Sequence, residues 1–148
     1  MKPLILFHMP CTDGYTSAWI AHSFFQGECE LVPATYNTDY SGLEVDGRDL
    51  YILDFSLDRD VLLGLAERAN RIVLLDHHDT AEKKLAGEWP DNVEIHFDQS
   101  RSGAALTWLH FFPKTDIPQL VRYVEDRDLW KFDLPDSKEI TSWIKLWE

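Results

Sequence analysis

Three unbroken apolar runs constrain this chain more than any other feature: LILF at Leu4–Phe7, LYIL at Leu50–Leu53, and IVLL within the predicted strand Arg71–Leu75. Each is too short for a buried helix, and each is apolar at consecutive positions, as a strand covered on both faces should be. The segments between them change period. Tyr15–Phe25 reads as a helix with Ala18, Trp19, Ala21 and Phe25 toward a core, after a turn at Thr12–Gly14. Leu57–Ala69 is apolar at positions 61, 62, 65, 66 and 69, the spacing of an amphipathic helix. Glu30–Thr35 and Asn92–Phe97 are predicted as further strands, with Asn37–Asp49 as a loop. Helices are predicted over Ser102–Phe112, capped by Ser102, and over Pro118–Glu125 and Ser137–Leu146. Strands alternating with helices specify a parallel sheet joined by right-handed crossovers. Such sheets bind ligands beyond the carboxyl ends of their strands.

Composition narrows the function classes. The chain has 148 residues, 45% of them hydrophobic, which suits one domain with a packed core and excludes intrinsic disorder. Its formal charge is −12, from 26 acidic and 14 basic residues, so it lacks the positive footprint needed to track a long nucleic-acid duplex. A small polyanionic substrate stays compatible with that charge if metal ions supply the missing positive field. Two cysteines, Cys11 and Cys29, are too few for a disulfide framework. The N-terminal apolar run is shorter than a signal peptide requires, and a membrane span needs about 20 apolar residues. A soluble, cytoplasmic protein with no membrane contact is the expectation.

The strand ends carry the chemistry. LILF stops at His8, LYIL at Asp54, and IVLL at Asp76-His77-His78, while Asp13 lies just after the first strand. A parallel sheet brings these residues to one edge. Carboxylates with neutral imidazoles form a ligand set suited to Mn²⁺ or a similar divalent ion. Several carboxylates at one edge point to two ions, and a pair about 3.5–4 Å apart activates water and steadies both oxygens of an in-line phosphoryl displacement.

These stretches resemble the DHH phosphoesterase superfamily, named for the motif seen here as Asp76-His77-His78. Its members include RecJ-type exonucleases, oligoribonucleases, cyclic-dinucleotide phosphodiesterases and family II pyrophosphatases. The similarity runs through Phe7–Trp19, Leu50–Ser56, Val73–Thr80, Arg101–Trp108 and Tyr123–Phe132, in the family's order. It implies a doubly wound α/β domain with a mainly parallel sheet of about five strands. It also implies a metal-dependent phosphoesterase acting on small nucleotides or short oligonucleotides, with two Mn²⁺ ions, or Mg²⁺, Zn²⁺ or Fe²⁺ in their place. His8 resembles a ligand of one ion, Asp13 and His77 resemble ligands of the other, and Asp54 resembles the bridging aspartate. His78 resembles the histidine that contacts substrate phosphate, with Asp76 either orienting the histidines or supporting the metal shell. In the fourth motif either Asp126 or Asp128 completes the second site, and an Asp-x-Trp pattern favours Asp128.

Two departures stand out. Cys11 replaces the family's usual first aspartate, and is either a softer metal ligand or a bystander thiol. The family's usual C-terminal substrate-binding domain is absent from residues 1–148, so a single catalytic domain is expected. Arg101-Ser102-Gly103 precedes a helix whose free N–H groups either receive a substrate phosphate or serve an ordinary cap. Trp130 is expected in the core rather than against a base. Trp143 and Trp147 either pack on the core or form a face for a further domain or a second copy of the chain.

Overall fold

The three apolar runs form the centre of one sheet. In the computed structural model, β1 (Leu4–His8), β3 (Asp49–Leu53) and β4 (Arg71–Asp76) lie side by side. Strand β2 (Glu30–Ala34) adds beyond β1 and β5 (Val93–Phe97) beyond β4, all parallel, in the order β2-β1-β3-β4-β5. Residues 1–145 are described; Leu146 and Trp147, expected on the last helix, lie outside them with Glu148. No helix among the described residues is long and apolar enough to cross a membrane.

Strand alternation divides the core between two faces. Leu4, Leu6, Leu50, Ile52, Ile72 and Leu74 point to one side, and Ile5, Phe7, Tyr51, Leu53, Val73 and Leu75 to the other. Every one of these is nearly or wholly buried, and each buried aliphatic side chain contributes about 1.5–3 kcal/mol. The first face is covered by α2 (Arg59–Ala66) and α3 (Asp79–Leu85), and by Tyr40 and Val45 of the long β2–β3 connection. The second face is covered by α1 (Thr12–Phe24), α4 (Gly103–Phe111) and α5 (Gln119–Asp128), with α6 (Ser137–Lys145) packed on α5. From β1 the chain steps one way to β2, and from β3 it steps the opposite way to β4. A constant right-handed crossover therefore puts α1 and α2 on opposite faces. The resulting fold is doubly wound α/β, with its topological switch point between β1 and β3.

Local details differ from the sequence reading. Helix α1 starts at Thr12, so the expected turn at Thr12–Gly14 is its first turn. Gly14 is there for proximity: a Cβ on it would lie 2.1 Å from the carbonyl oxygen of His8. Trp19 is exposed, and Ile20 takes the core position beside Ala18 and Ala21. Helix α3 is missed by periodicity, since only Leu85 of its seven residues is buried.

The glycines give a stability test. Gly14→Ala is expected to cost about 3 kcal/mol or more through overpacking against backbone. Gly64→Ala, where nothing lies within 4 Å, is expected to raise stability by about 1 kcal/mol. Thermal melts of the two variants read both outcomes.

Candidate metal centre

The switch point collects the ligands. His8 is the last residue of β1, Asp54 follows β3, and Asp76 ends β4 and leads directly into His77 and His78. From the helices come Cys11, the N-cap of α1, Asp13 in its first turn, and Asp128, the last residue of α5.

Two clusters of candidate ligands adjoin at Asp54. His77 Nε2 lies 3.1 Å from Asp54 Oδ1 and 3.6 Å from both Asp13 Oδ2 and Asp128 Oδ2. On the other side, His8 Nδ1 lies 3.4 Å from Asp54 Oδ2, and neither buried atom makes a hydrogen bond. Cys11 supplies a third donor to that side, within 4.8 Å of both. Ligands about 2.1 Å from one ion are about 3.0 Å apart in an octahedron and about 3.4 Å apart in a tetrahedron. The 3.1 Å pair is also a hydrogen bond between His77 and Asp54, while the 3.4–3.6 Å separations fit the spacing of ligands around one cation.

Backbone geometry holds this arrangement. Asp13 is 1% exposed, and its two oxygens accept from the N–H groups of Gly103 and Ala104, each at 2.7 Å. Asp54 adopts φ 54°, uncommon for a residue with a side chain, and is wedged against Gly103, where a Cβ would lie 2.5 Å from its own Cβ. Asp76 is saturated. Its Oδ1 accepts from His78 Nδ1 at 2.6 Å and from His77 N at 2.7 Å, and its Oδ2 accepts from Ser56 Oγ at 2.5 Å. The acceptor carboxylate makes Nδ1 of His78 the donor and leaves Nε2 available.

The electrostatics ask for positive charge. Burial, then the Asp54 and Asp128 charges, push the Asp13 carboxyl well above the usual range, against the two α4 N–H groups. At Asp54, burial opposes ionisation but is outweighed by His77 and His8, which hold the carboxyl at about 2. Burial raises Asp128, and burial followed by the Asp54 charge pushes the Cys11 thiol up to about 12. Burial opposes protonation of His77, but its hydrogen bond and charge interaction with Asp54 raise it. The bond to Asp76 raises His78. Protons and imidazolium charge stabilise the carboxylates here, and a divalent cation would displace them.

Several expected site residues lie elsewhere. Asp126 is not at the centre: its carboxylate accepts from the backbone of Asp133 and Leu134, because residues two apart on a helix point about 200° apart. The α4 N-terminus is not open to phosphate. Gly103 N is taken by Asp13, Ser102 Oγ caps Ala105 N, and Glu125 accepts from both Ser102 N and Arg101 Nη1. Trp130 is 78% exposed, not core, and Trp143 is likewise exposed. Tyr36, not singled out from sequence, packs edge-on against His8 with ring centroids 5.2 Å apart. Its position two residues beyond β2, on the same sheet edge, was the available signal.

No family model matches the chain. It is similar to an uncharacterized protein of Acanthamoeba polyphaga mimivirus, 27% identical over 98% of this chain. The matched region is 39% of that protein, so the chain spans less than half of its relative's length.

The ligand geometry sets two expectations. A Mn²⁺ ion held here would bind about ten-fold or more weakly in Asp128→Ala, whereas Asp126→Ala would leave it within about two-fold and lower the melting temperature instead. Calorimetric titration and thermal melts separate the two. Affinity is also expected to decline as pH falls, beginning above the ordinary imidazole value of 6.5, because the raised His77 must lose its proton before it ligates.

Proposed function

We propose that this chain is a divalent-metal-dependent phosphoesterase of the DHH type, hydrolysing phosphoester bonds in small nucleotides or short oligonucleotides. The observation that carries this reading is the sharing of Asp54. One oxygen faces His77 among three carboxylates, and the other faces the unbonded Nδ1 of His8. A structural ion would need one such group; two groups meeting at a bridging carboxylate suit a pair of ions.

Asp13, His77 and Asp128 would hold one ion and His8, Cys11 and Asp54 the other, with Asp54 Oδ1 also 3.1 Å from His77 Nε2. Their mixed oxygen and nitrogen donors favour Mn²⁺, with the Cys11 thiol tilting its side toward Zn²⁺ or Fe²⁺. Two such cations, when bound, lower the pKa of water and draw negative charge from phosphate oxygens. The chain's own residues do the rest. Asp54 keeps its charge in a buried setting and fixes the spacing of the two groups. His78, held by Asp76 through Nδ1, directs Nε2 at the substrate and donates to the phosphate or leaving oxygen, where charge accumulates in the transition state. The bond to Asp76 raises His78 and so favours the protonated form that donates. Asp76 acts as a positioning residue, accepting from Ser56, the His77 backbone and His78 Nδ1.

The test is a panel of dinucleotides, cyclic dinucleotides, 3′,5′-bisphosphonucleotide and pyrophosphate, assayed with Mn²⁺. Mn²⁺-dependent release from at least one nucleotide is expected. Asp54→Asn and His77→Ala should abolish it, and His78→Ala should slow it by about 10²–10³. Release from pyrophosphate alone would point to a pyrophosphatase. Two bound Mn²⁺ per chain with no turnover on the panel would leave a binding module and sink the enzyme reading.

A further inference from the structure

Trp130 is the most exposed aromatic side chain among the described residues, at 78%. It sits just past the end of α5, where Leu129 is the C-cap, and its φ is 56°. That position suits glycine; a bulky residue there is strained. Phe132, in the same turn, also has a left-handed backbone, at φ 52°. The turn is nevertheless rigidly built. Trp130 N and Lys131 N donate to the carbonyls of Arg127 and Asp126, and the Asp126 carboxylate takes the N–H groups of Asp133 and Leu134. Phe132 braces the indole at a centroid distance of 4.9 Å and an interplanar angle of 76°. The chain thus accepts both strain and an exposed indole at one position, and such outliers point toward function.

The location says which function. Trp130 lies two residues beyond Asp128, and both line a pocket of about 270 Å³. Cys11 and Asp13 bring the metal centre to one wall of this pocket, and Arg127 and Lys145 provide its cations. Arg127 is fixed by a 2.9 Å bond from Nη1 to the carbonyl of Thr141 on α6. In a chain of net charge −12, two cations and an exposed indole converge beside the acidic centre.

We propose that this pocket is a nucleobase subsite. A phosphate seated at the Asp13–His77–Asp128 side would place its base against Trp130, with Arg127 and Lys145 offsetting phosphate charge. The substrate class is therefore nucleotides carrying an aromatic base on the Asp128 side, not base-free phosphates such as pyrophosphate. The inference rests on the phosphoesterase reading for where the phosphate sits. Base–aromatic stacking is sequence-tolerant, so the subsite selects for the presence of a base more than for its identity.

The experiment is calorimetric titration of the Mn²⁺-loaded protein with adenosine 5′-monophosphate and with ribose 5-phosphate, which differ by the base. The monophosphate should bind about ten-fold tighter. Trp130→Gly, which suits the backbone at this position, should bring it down to the ribose 5-phosphate level without changing ribose 5-phosphate itself. Trp130→Phe should keep most of the difference, and thermal melts should show both variants folded. Equal affinity of the two ligands for the unaltered protein, no binding of either, or unchanged affinity in Trp130→Gly each overturns the subsite. So does a change in sedimentation of Trp130→Gly with nucleotide affinity intact, which marks a subunit contact instead. A base-dependent difference without turnover on the substrate panel counts against hydrolysis alone. Turnover of a nucleotide with KM unchanged in Trp130→Gly counts against the subsite alone.

Discussion

The buried carboxylate of Asp13 is the joint on which the rest depends. Its two oxygens take the first N–H groups of α4, so the starts of two helices about ninety residues apart converge on one side chain. A helix N-terminus favours negative charge, which offsets part of the repulsion from Asp54 and Asp128. The joint also explains two glycines. Gly14 lets α1 start against the carbonyl of His8, and Gly103 lets α4 start against Asp54. A methyl group at either position would push a helix away from the sheet edge and open the ligand groups. Packing and chemistry are therefore one constraint here.

Asp54 carries the opposite tension. It is almost fully buried, left-handed in its backbone and ionised, three features that each cost stability in isolation. They persist because His77 and His8 flank its two oxygens. Asp13, Asp54, Asp76 and Asp128 thus gather at the carboxyl edge of the sheet, at the crossover reversal where open α/β sheets form a crevice. Burial and neighbouring charge raise Asp13 and Asp128, imidazoles hold Asp54 down, and a divalent cation would relieve both conditions.

The neighbouring turn shows how a residue's task can shift while its region stays functional. Asp126 and Asp128 share one helix end but face different ways. Asp128 reaches His77, while Asp126 ties down residues 133 and 134. That tie fixes the strained turn carrying Trp130. On the opposite side of the centre, Tyr36 and Phe55 pack against His8 in edge-on and tilted contacts, so aromatic surface flanks the candidate ligands in both directions.

Much of this was legible in local pattern. Consecutive apolar residues at β1, β3 and β4 specify strands buried on both faces, and alternation with helical periods specifies a parallel sheet. From that alone, His8, Asp54 and Asp76-His77-His78 must meet at one edge, whatever the intervening loops do. Ser102 as the cap of α4 was legible too, since capping is a matter of adjacent residues. Other features were not. Helix α3 lacks an apolar stripe, and Trp19 and Trp130 are large apolar side chains that the fold leaves in water. Arg101, Ser102 and Gly103 looked open to a phosphate, but Glu125 and Asp13 fill that helix end. The sequence by itself determined the sheet and the edge where these histidines and carboxylates gather, because strand burial and strand ends are written in neighbouring residues. Only the tertiary structure decided which carboxylate serves which partner. Those pairings depend on how closely helices distant in the chain approach, and no local period encodes that distance.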